Sequence, residues 1–269
     1  MISEDMLNRL VDTVRATPRY QEISKELVQQ VGSQELAKGR SFKEAVKATR
    51  NKIHQVGGAY QEHAIRYATW LAELKEIPAD PADARLRDFC RRMMGEHAST
   101  RERLAVLDDF YSSILGPIAP LRSVADLACG LNPLALPWMP LAPDAPYYAC
   151  DIYNDLANFF NIFLSHLHRP GKVEVCDLTH DPSIQPVQLA LLLKTLPCLE
   201  QVNKEIGLEF LDGVQADYLL VSFPVASLSG RAKGMLKNYA AHFLALIEGC
   251  PWSVQRFEFS SELAFLVKK

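Results

Sequence analysis

The stretch "SVADLACGLNPLALPWM" (123–139) decides the fold. A short apolar run carrying Asp126 ends in a small-residue turn that contains Gly130, and Pro133 follows where a helix would otherwise begin. In an open α/β sheet, ligands bind beyond the carboxyl ends of the strands, where strand order reverses, and the turn after the first strand is the usual contact. A glycine there lets the backbone approach a ligand with no Cβ in the way. Downstream, "YYACDI" (147–152), "KVEVCDL" (172–178), "VQLALLL" (187–193) and "ADYLLVSF" (216–223) are further short apolar runs, most of them separated by segments of helical length. That alternation predicts a parallel sheet with crossover helices. "VQRFEFS" (254–260) and "ELAFLVKK" (262–269), split by Ser260–Ser261, predict an antiparallel hairpin at the sheet's edge.

Upstream the period is helical. "DMLNRLVDTVRAT" (5–17) places Met6, Leu7, Leu10, Val11 and Val14 on one stripe. "SKELVQQVGS" (24–33) follows, then "SFKEAVKATRNKIHQVGGAY" (41–60), where Ser41 and Glu44 form a capping box. "AIRYATWLAELKEI" (64–77), stopped by Pro78, and "DARLRDFCRRMM" (83–94) complete five helices, and no strand pattern precedes residue 120. Two domains are expected: residues 1–95 as a helical unit and residues 96–269 as the α/β unit.

Composition narrows the class. A hydrophobic share of 48% with 23% charged residues is that of a soluble globular protein. No apolar run approaches the roughly 20 residues that span a bilayer, and "MISEDMLNRL" is no secretory signal. A cytoplasmic location is expected. The six cysteines include no C-x-x-C pair, so zinc is not expected, and all six are read as reduced, structural thiols. Residues 1–105 carry 18 Lys+Arg against 15 Asp+Glu, a net of +3, whereas the remainder carries 11 against 17, a net of −6. The basic front part suggests an anionic partner, with a solvated helical face as the plain alternative.

The motifs that are missing select the ligand. Without G-x-G-x-x-G a dinucleotide pyrophosphate fits poorly, and without G-x-x-x-x-G-K-[ST] so does a nucleoside triphosphate. What remains is a nucleoside with no phosphate chain. Asp126 lies in the first strand, and Asp151 and Asp177 end the second and third. Asp151 is placed to accept from both ribose hydroxyls, Asp177 from an exocyclic adenine amine, and Asp126 from a ligand ammonium, directly or through water. Ribose, adenine and amino acid together describe S-adenosylmethionine (SAM). Another nucleoside, or plain strand-end acids that cap helices, would fit the same spacing.

Six pieces in order narrow the choice: "HASTRERLAVLDDFY" (97–111), "ADLACGLNPLAL" (125–136), "CDI" (150–152), "LKTLPCLE" (193–200), "SFP" (222–224) and "GRAKGM" (230–235). The chain resembles the aminoglycoside-resistance 16S ribosomal RNA methyltransferases of the Arm/Rmt type, densely from about residue 97 to 240 and more thinly before, where "ATRNKIHQVGGAY" (48–60) is the clearest piece. The resemblance implies a class I SAM-dependent methyltransferase domain with a helical N-terminal extension that grips the ribosome. It implies methyl transfer from SAM to nitrogen 7 of guanine 1405 in the assembled small subunit. By the same resemblance "HASTRERL" opens a helix under the cofactor, with Ser99 as its cap. Arg103, rather than Arg101, would then meet the methionine carboxylate. Ala128, Gly130, Ile152 and Leu178 join Arg103, Asp126, Asp151 and Asp177 in the expected cofactor site.

For RNA the expected contacts are Arg50, Lys52 and His54 in the N-terminal unit, and Lys194, Arg231 and Lys233 near the target base. Capping a helix is the equal alternative for Lys194. No [ND]-P-P-[YF] tetrad follows the fourth strand, where "LKTLPCLE" stands instead. Guanine nitrogen 7 carries a free lone pair and no proton, so no general base is needed and none is assigned; His97 and His54 are read as structural. The loop "SFPVASLSGRAKGM" (222–235) departs from the family's "SFPTRSLGGRGKGM" at Val225, Ala226, Ser229 and Ala232. The lost arginine leaves two alternatives: another decoding-site base as target, such as adenine nitrogen 1, or an RNA-binding protein that holds SAM without catalysis.

Overall fold

The computed structural model describes residues 3–58, 65–178, 185–202, 206–225 and 234–269. Three N-terminal helices form first: α1 (Glu4–Arg15), α2 (Lys25–Ala37) and α3 (Phe42–Ile53). Each has a serine cap. Ser3, Ser24 and Ser41 accept from backbone N–H groups of the first turn, and at α3 both halves of the capping box are made. Their apolar stripes close on one another around Leu10, Val11, Val14, Val28, Ala45 and Ile53. Met6, at the head of the α1 stripe, is 41% exposed.

The next two helices, α4 (Tyr67–Leu74) and α5 (Ala84–Met94), do something different. Their apolar faces enter the core beneath the sheet, where Tyr67 stacks on Phe159 at 5.0 Å and Trp70 meets the same ring edge-on at 5.4 Å. Two further helices, α6 (Ala98–Arg103) and α7 (Leu107–Leu115), lead into the sheet.

The seven strands are β1 (Val124–Leu127), β2 (Tyr147–Asp151), β3 (Gly171–Val175), β4 (Val187–Leu193), β5 (Ala216–Pro224), β6 (Ser253–Glu258) and β7 (Glu262–Lys268). They lie in the order β3-β2-β1-β4-β5-β7-β6. The first five are parallel; β7 runs antiparallel to β5, and β6 forms the edge beyond it. Strand order therefore reverses between β1 and β4. Both faces are covered, which is why the central strands read as unbroken apolar runs. Helix α8 (Asn154–His166) connects β2 to β3, α9 (Leu196–Val202) and α10 (Ile206–Gly213) lie between β4 and β5, and α11 (Met235–Leu246) follows β5. After β1 the chain makes 3₁₀ turns over Asn132–Trp138 instead of an α-helix. Pro137 explains this, because inside an α-helix it would remove an N–H donor and its ring would crowd the carbonyl four residues back. No helix of the described residues is long and apolar enough to cross a membrane.

One expectation fails here. Cys150 and Cys176 are joined in a disulfide, while Cys90, Cys129, Cys198 and Cys250 are free. The parallel register sets Cys150 opposite Glu174, so Cys176 comes just past the end of β3 with its Cα 5.7 Å from that of Cys150. That separation suits a disulfide. Reading each cysteine within its own apolar run missed a pairing that only the sheet creates.

Candidate cofactor and active site

A cavity opens at the reversal point, above the carboxyl ends of β1, β2 and β4. The turn after β1 forms its floor. Ala128 and Gly130 both have left-handed backbones, with φ of 54° and 49°. The N–H of Gly130 donates to Asp151 Oδ2 at 2.8 Å, and that of Ile152 to Asp151 Oδ1 at 2.7 Å. A Cβ on Gly130 would lie 3.0 Å from Cε1 of the His97 ring. The turn thus needs glycine for its backbone angle and for the ring packed over it.

Of the expected cofactor residues, Arg103, Ala128, Gly130, Asp151, Ile152, Asp177 and Leu178 all line this cavity. Ile65, Tyr67, Ile152, Leu178 and Leu199 supply apolar walls suited to a purine. Asp151 is almost buried, and burial raises its carboxyl above the ordinary range against the pull of its backbone donors. Asp126 is set differently. It is 1% exposed and lies behind the cavity wall, accepting from Tyr147 Oη at 2.5 Å and Asn132 Nδ2 at 2.7 Å. Asn132 does line the cavity, so Asp126 acts on the site through it.

Burial pushes the Asp126 carboxyl up to about 7, with the bonds from Tyr147 and Asn132 opposing. A raised acid keeps its proton in the folded state after the unfolded chain has released it. Its contribution to stability is therefore full at low pH and falls as pH rises from about 4 to about 7. The stability advantage of the wild type over Asp126→Asn should shrink by on the order of 3 kcal/mol between pH 5 and pH 8. Urea unfolding across that range measures it, and a constant difference would show Asp126 to be ionised throughout.

Arg103 is fully buried. Its Nε and Nη2 donate to the two oxygens of Glu262 at 3.0 and 2.8 Å, and Nη1 donates to Asn132 Oδ1 at 2.7 Å. Tyr111 Oη donates to the same Asn132 oxygen at 2.5 Å. Burial works to lower the Arg103 pKa, but the charge and hydrogen bonds of Glu262, with Tyr111 and Asp126, together outweigh it and raise it. Burial likewise works to raise Glu262, and Arg103 and Lys194 hold it below the usual range. Ser222 Oγ donates to Glu262 at 2.5 Å. Sequence reading missed Glu262, Asn132, Tyr111 and Ser222; a glutamate opening an otherwise apolar strand was the one available signal.

Lys194 turns inward. It closes β4 with φ of 61°, is 4% exposed, and donates its ammonium to Glu102 at 2.5 Å and to the Ser99 carbonyl at 3.1 Å. Glu262 lies 3.7 Å away. Ser99 does not cap α6: His97 occupies the N-cap position, with no side-chain capping bond. The His97 imidazole is pushed down to about 4 by burial and by the cations Lys194 and Arg103, so it is neutral near pH 7.

Arg50 and Lys52 are engaged within the N-terminal helices. Arg50 donates to the Thr13 carbonyl at 2.6 Å, tying α3 to α1. Lys52 pairs with the buried Glu35 at 3.2 Å, beside Lys38 and Arg40. His54 is lowered by burial and by Arg19, and so is uncharged at neutral pH. Arg231 and Lys233 lie outside the described residues. Among the described residues, no group of three or more His, Cys, Asp or Glu side chains could hold a metal ion.

The N-terminal helices meet the cavity's rim. Ile23 bridges Tyr153, the Ser24 N–H donates to the Ile152 carbonyl at 2.8 Å, and Asn154 donates to Glu22 O at 2.9 Å. A Cβ on Gly57 would fall 2.7 Å from Ile152 Cδ1.

Similarity to known proteins spans both units. Residues 15–266 match the family model described as Ribosomal RNA methyltransferase (FmrO). Over 99% of its length the chain is 35% identical to the 16S rRNA (guanine(1405)-N(7))-methyltransferase of Micromonospora echinospora, covering 98% of that protein. It is 31% identical to the protein of the same name from Serratia marcescens, over 98% of each. The crystal structure of the 16S rRNA methyltransferase RmtF in complex with S-adenosyl-L-homocysteine matches 100% of both chains, with a TM-score of 0.83 at 29% identity. The 16S rRNA methylase RmtB matches over 98% of each chain, at 0.80 and 27%. Because the match takes in the N-terminal helices as well as the sheet, this chain belongs to the ribosomal RNA methyltransferase (FmrO) family.

Proposed function

We propose that this chain transfers a methyl group from SAM to nitrogen 7 of guanine 1405 of 16S rRNA in the assembled small subunit, and so confers aminoglycoside resistance. The carrying observation is the full-length similarity to relatives with that stated activity. The cavity fits the cofactor: a nearly buried carboxylate at the end of β2, a second acid after β3, a left-handed turn with no Cβ at Gly130, and apolar walls between them. When bound, SAM supplies an electrophilic methyl on a sulfonium.

The chain's own residues then bind and orient. Asp151 accepts from the ribose hydroxyls while the Gly130 and Ile152 N–H groups fix its carboxylate. Asp177 and Leu178 hold the adenine edge and face. Arg103, locked by Glu262, presents charge to the methionine carboxylate, and Asn132 relays the position of Asp126. The acceptor nitrogen already has an in-plane lone pair, so no residue has to remove a proton before attack. Positioning alone can supply roughly 7–11 kcal/mol of a barrier. Lys194, held by Glu102 and Glu262, keeps the carboxyl end of β4 in place.

The experiment is direct. Assembled small subunits are incubated with labelled SAM, and the RNA is tested for borohydride-induced aniline scission. Scission at guanine 1405 is expected. Label without scission would make another base the target, and no label would leave a binding protein without catalysis.

Asp151→Ala should weaken S-adenosylhomocysteine binding about 10- to 150-fold, since hydrogen bonds to charged groups contribute about 1.5–3 kcal/mol. Isothermal titration measures this, and wild-type affinity in the variant would remove Asp151 from the site.

A further inference from the structure

We propose that Cys150 and Cys176 are a redox-active pair whose state sets the affinity of the cofactor cavity. The inference rests on the proposed cofactor roles of Asp151 and Asp177. Each cysteine immediately precedes one of those acids, and the disulfide bridges the two strand ends that carry them. β3 is an edge strand with β2 as its sole strand neighbour, and most of its residues are exposed. Beyond the last register pair, the N–H of Cys176 donates to the Asp151 carbonyl at 2.9 Å. The covalent bridge reinforces that hydrogen bond.

The pair is also reachable. Cys176 lines the cofactor cavity, and both cysteines line a second, open cavity of about 750 Å³ bordered by Ala125, Leu127 and Tyr148. A small oxidant or reductant can enter there.

The chemistry balances with a hydroperoxide as oxidant. One thiolate takes an oxygen atom from hydrogen peroxide to become a sulfenic acid, releasing the first water after proton transfer. The second thiol attacks that sulfur, forming the S–S bond and releasing the second water. In reverse, a dithiol delivers two electrons and two protons and leaves as its own disulfide. The bridge fixes the spacing between Asp151 and Asp177, so less ordering remains to be done when ligand binds. Once the bridge is reduced, the end of β3 moves against β2 and the adenine wall must be ordered by the ligand. The dissociation constant for S-adenosylhomocysteine should rise about 3- to 10-fold on reduction.

Full-length protein is treated with hydrogen peroxide or with dithiothreitol, desalted, alkylated in denaturant so that the buried free cysteines also react, and weighed intact. Of the six cysteines, four should alkylate after peroxide and six after dithiothreitol. Titration with S-adenosylhomocysteine should show tighter binding in the oxidised protein. Cys150→Ser, and independently Cys176→Ser, should bind as the reduced wild type does and ignore peroxide. Six alkylated cysteines after peroxide, or equal affinity in both states, would overturn the proposal. Absence of binding in both states would strike the cofactor reading itself, and the proposal with it.

Discussion

Glu262→Ala should lower the melting temperature by about 6–20 °C and weaken S-adenosylhomocysteine binding with it. Glu262 has no exposed surface, and it compensates the fully buried guanidinium of Arg103 through two hydrogen bonds. Lys194 keeps Glu102 when Glu262 is lost; Arg103 keeps the neutral oxygens of Asn132 and Tyr111 and the face of the Phe110 ring, none of which carries a compensating charge. Breaking a buried pair by removing one partner costs about 3–5 kcal/mol, and in a chain of this size each kcal/mol shifts the melting temperature by about 2–4 °C. Glu262→Gln preserves volume and the bond from Ser222 but not the charge, so it should fall between. Because Arg103 and Lys194 hold the Glu262 carboxyl low, its contribution is complete above the unfolded carboxylate range and is lost as pH falls below about 4. The wild type should therefore lose stability on acidification more steeply than Glu262→Gln. A wild-type melting curve for Glu262→Ala would mean that the Arg103 charge is compensated elsewhere.

Glu262 also marks where sequence reading stops. It is 159 residues from Arg103, and the two meet because β7 inserts between β5 and β6. No local pattern encodes that insertion; from the sequence, Glu262 is a polar residue opening an edge strand. Asp151 was legible for the opposite reason. A parallel strand buried on both faces leaves an unbroken apolar run, and the acid that ends it is visible in one dimension. Lys194 was visible too, but not its direction: the ammonium turns back to Glu102 and the Ser99 carbonyl. Asn132 was not singled out in the sequence, and only the fold shows it bonded on one side to Arg103 and Tyr111 and on the other to Asp126. Helical periodicity likewise gave α4 and α5 their apolar faces without saying what those faces pack on.

The packing of α4 and α5 into the core beneath the sheet decides where the chain can be cut. A protein beginning at residue 65 should fold, bind S-adenosylhomocysteine within about 10-fold of full length, and fail to methylate small subunits. The helices α1 to α3 bury a cluster of their own, from Leu10 to Ile53, and touch the body chiefly at Ile152 and Tyr153. Starting at residue 65 takes Leu27 and Gly57 from the cavity's rim and leaves the acids and Arg103 in place. A protein beginning at residue 96, the boundary expected from the sequence, should not fold. That cut removes Tyr67, Trp70, Leu74, Leu86, Phe89, Cys90, Met93 and Met94 from the core beneath the sheet. At about 1.5–3 kcal/mol for each large apolar side chain, the loss matches or exceeds the roughly 5–15 kcal/mol by which domains are stable. Circular dichroism, S-adenosylhomocysteine titration and the methylation assay on the two truncations separate the cases. If the shorter protein folds, α4 and α5 belong with the docking helices. If the longer one methylates small subunits at the full rate, α1 to α3 are not needed to hold the ribosome, and recognition of the RNA lies within the α/β unit.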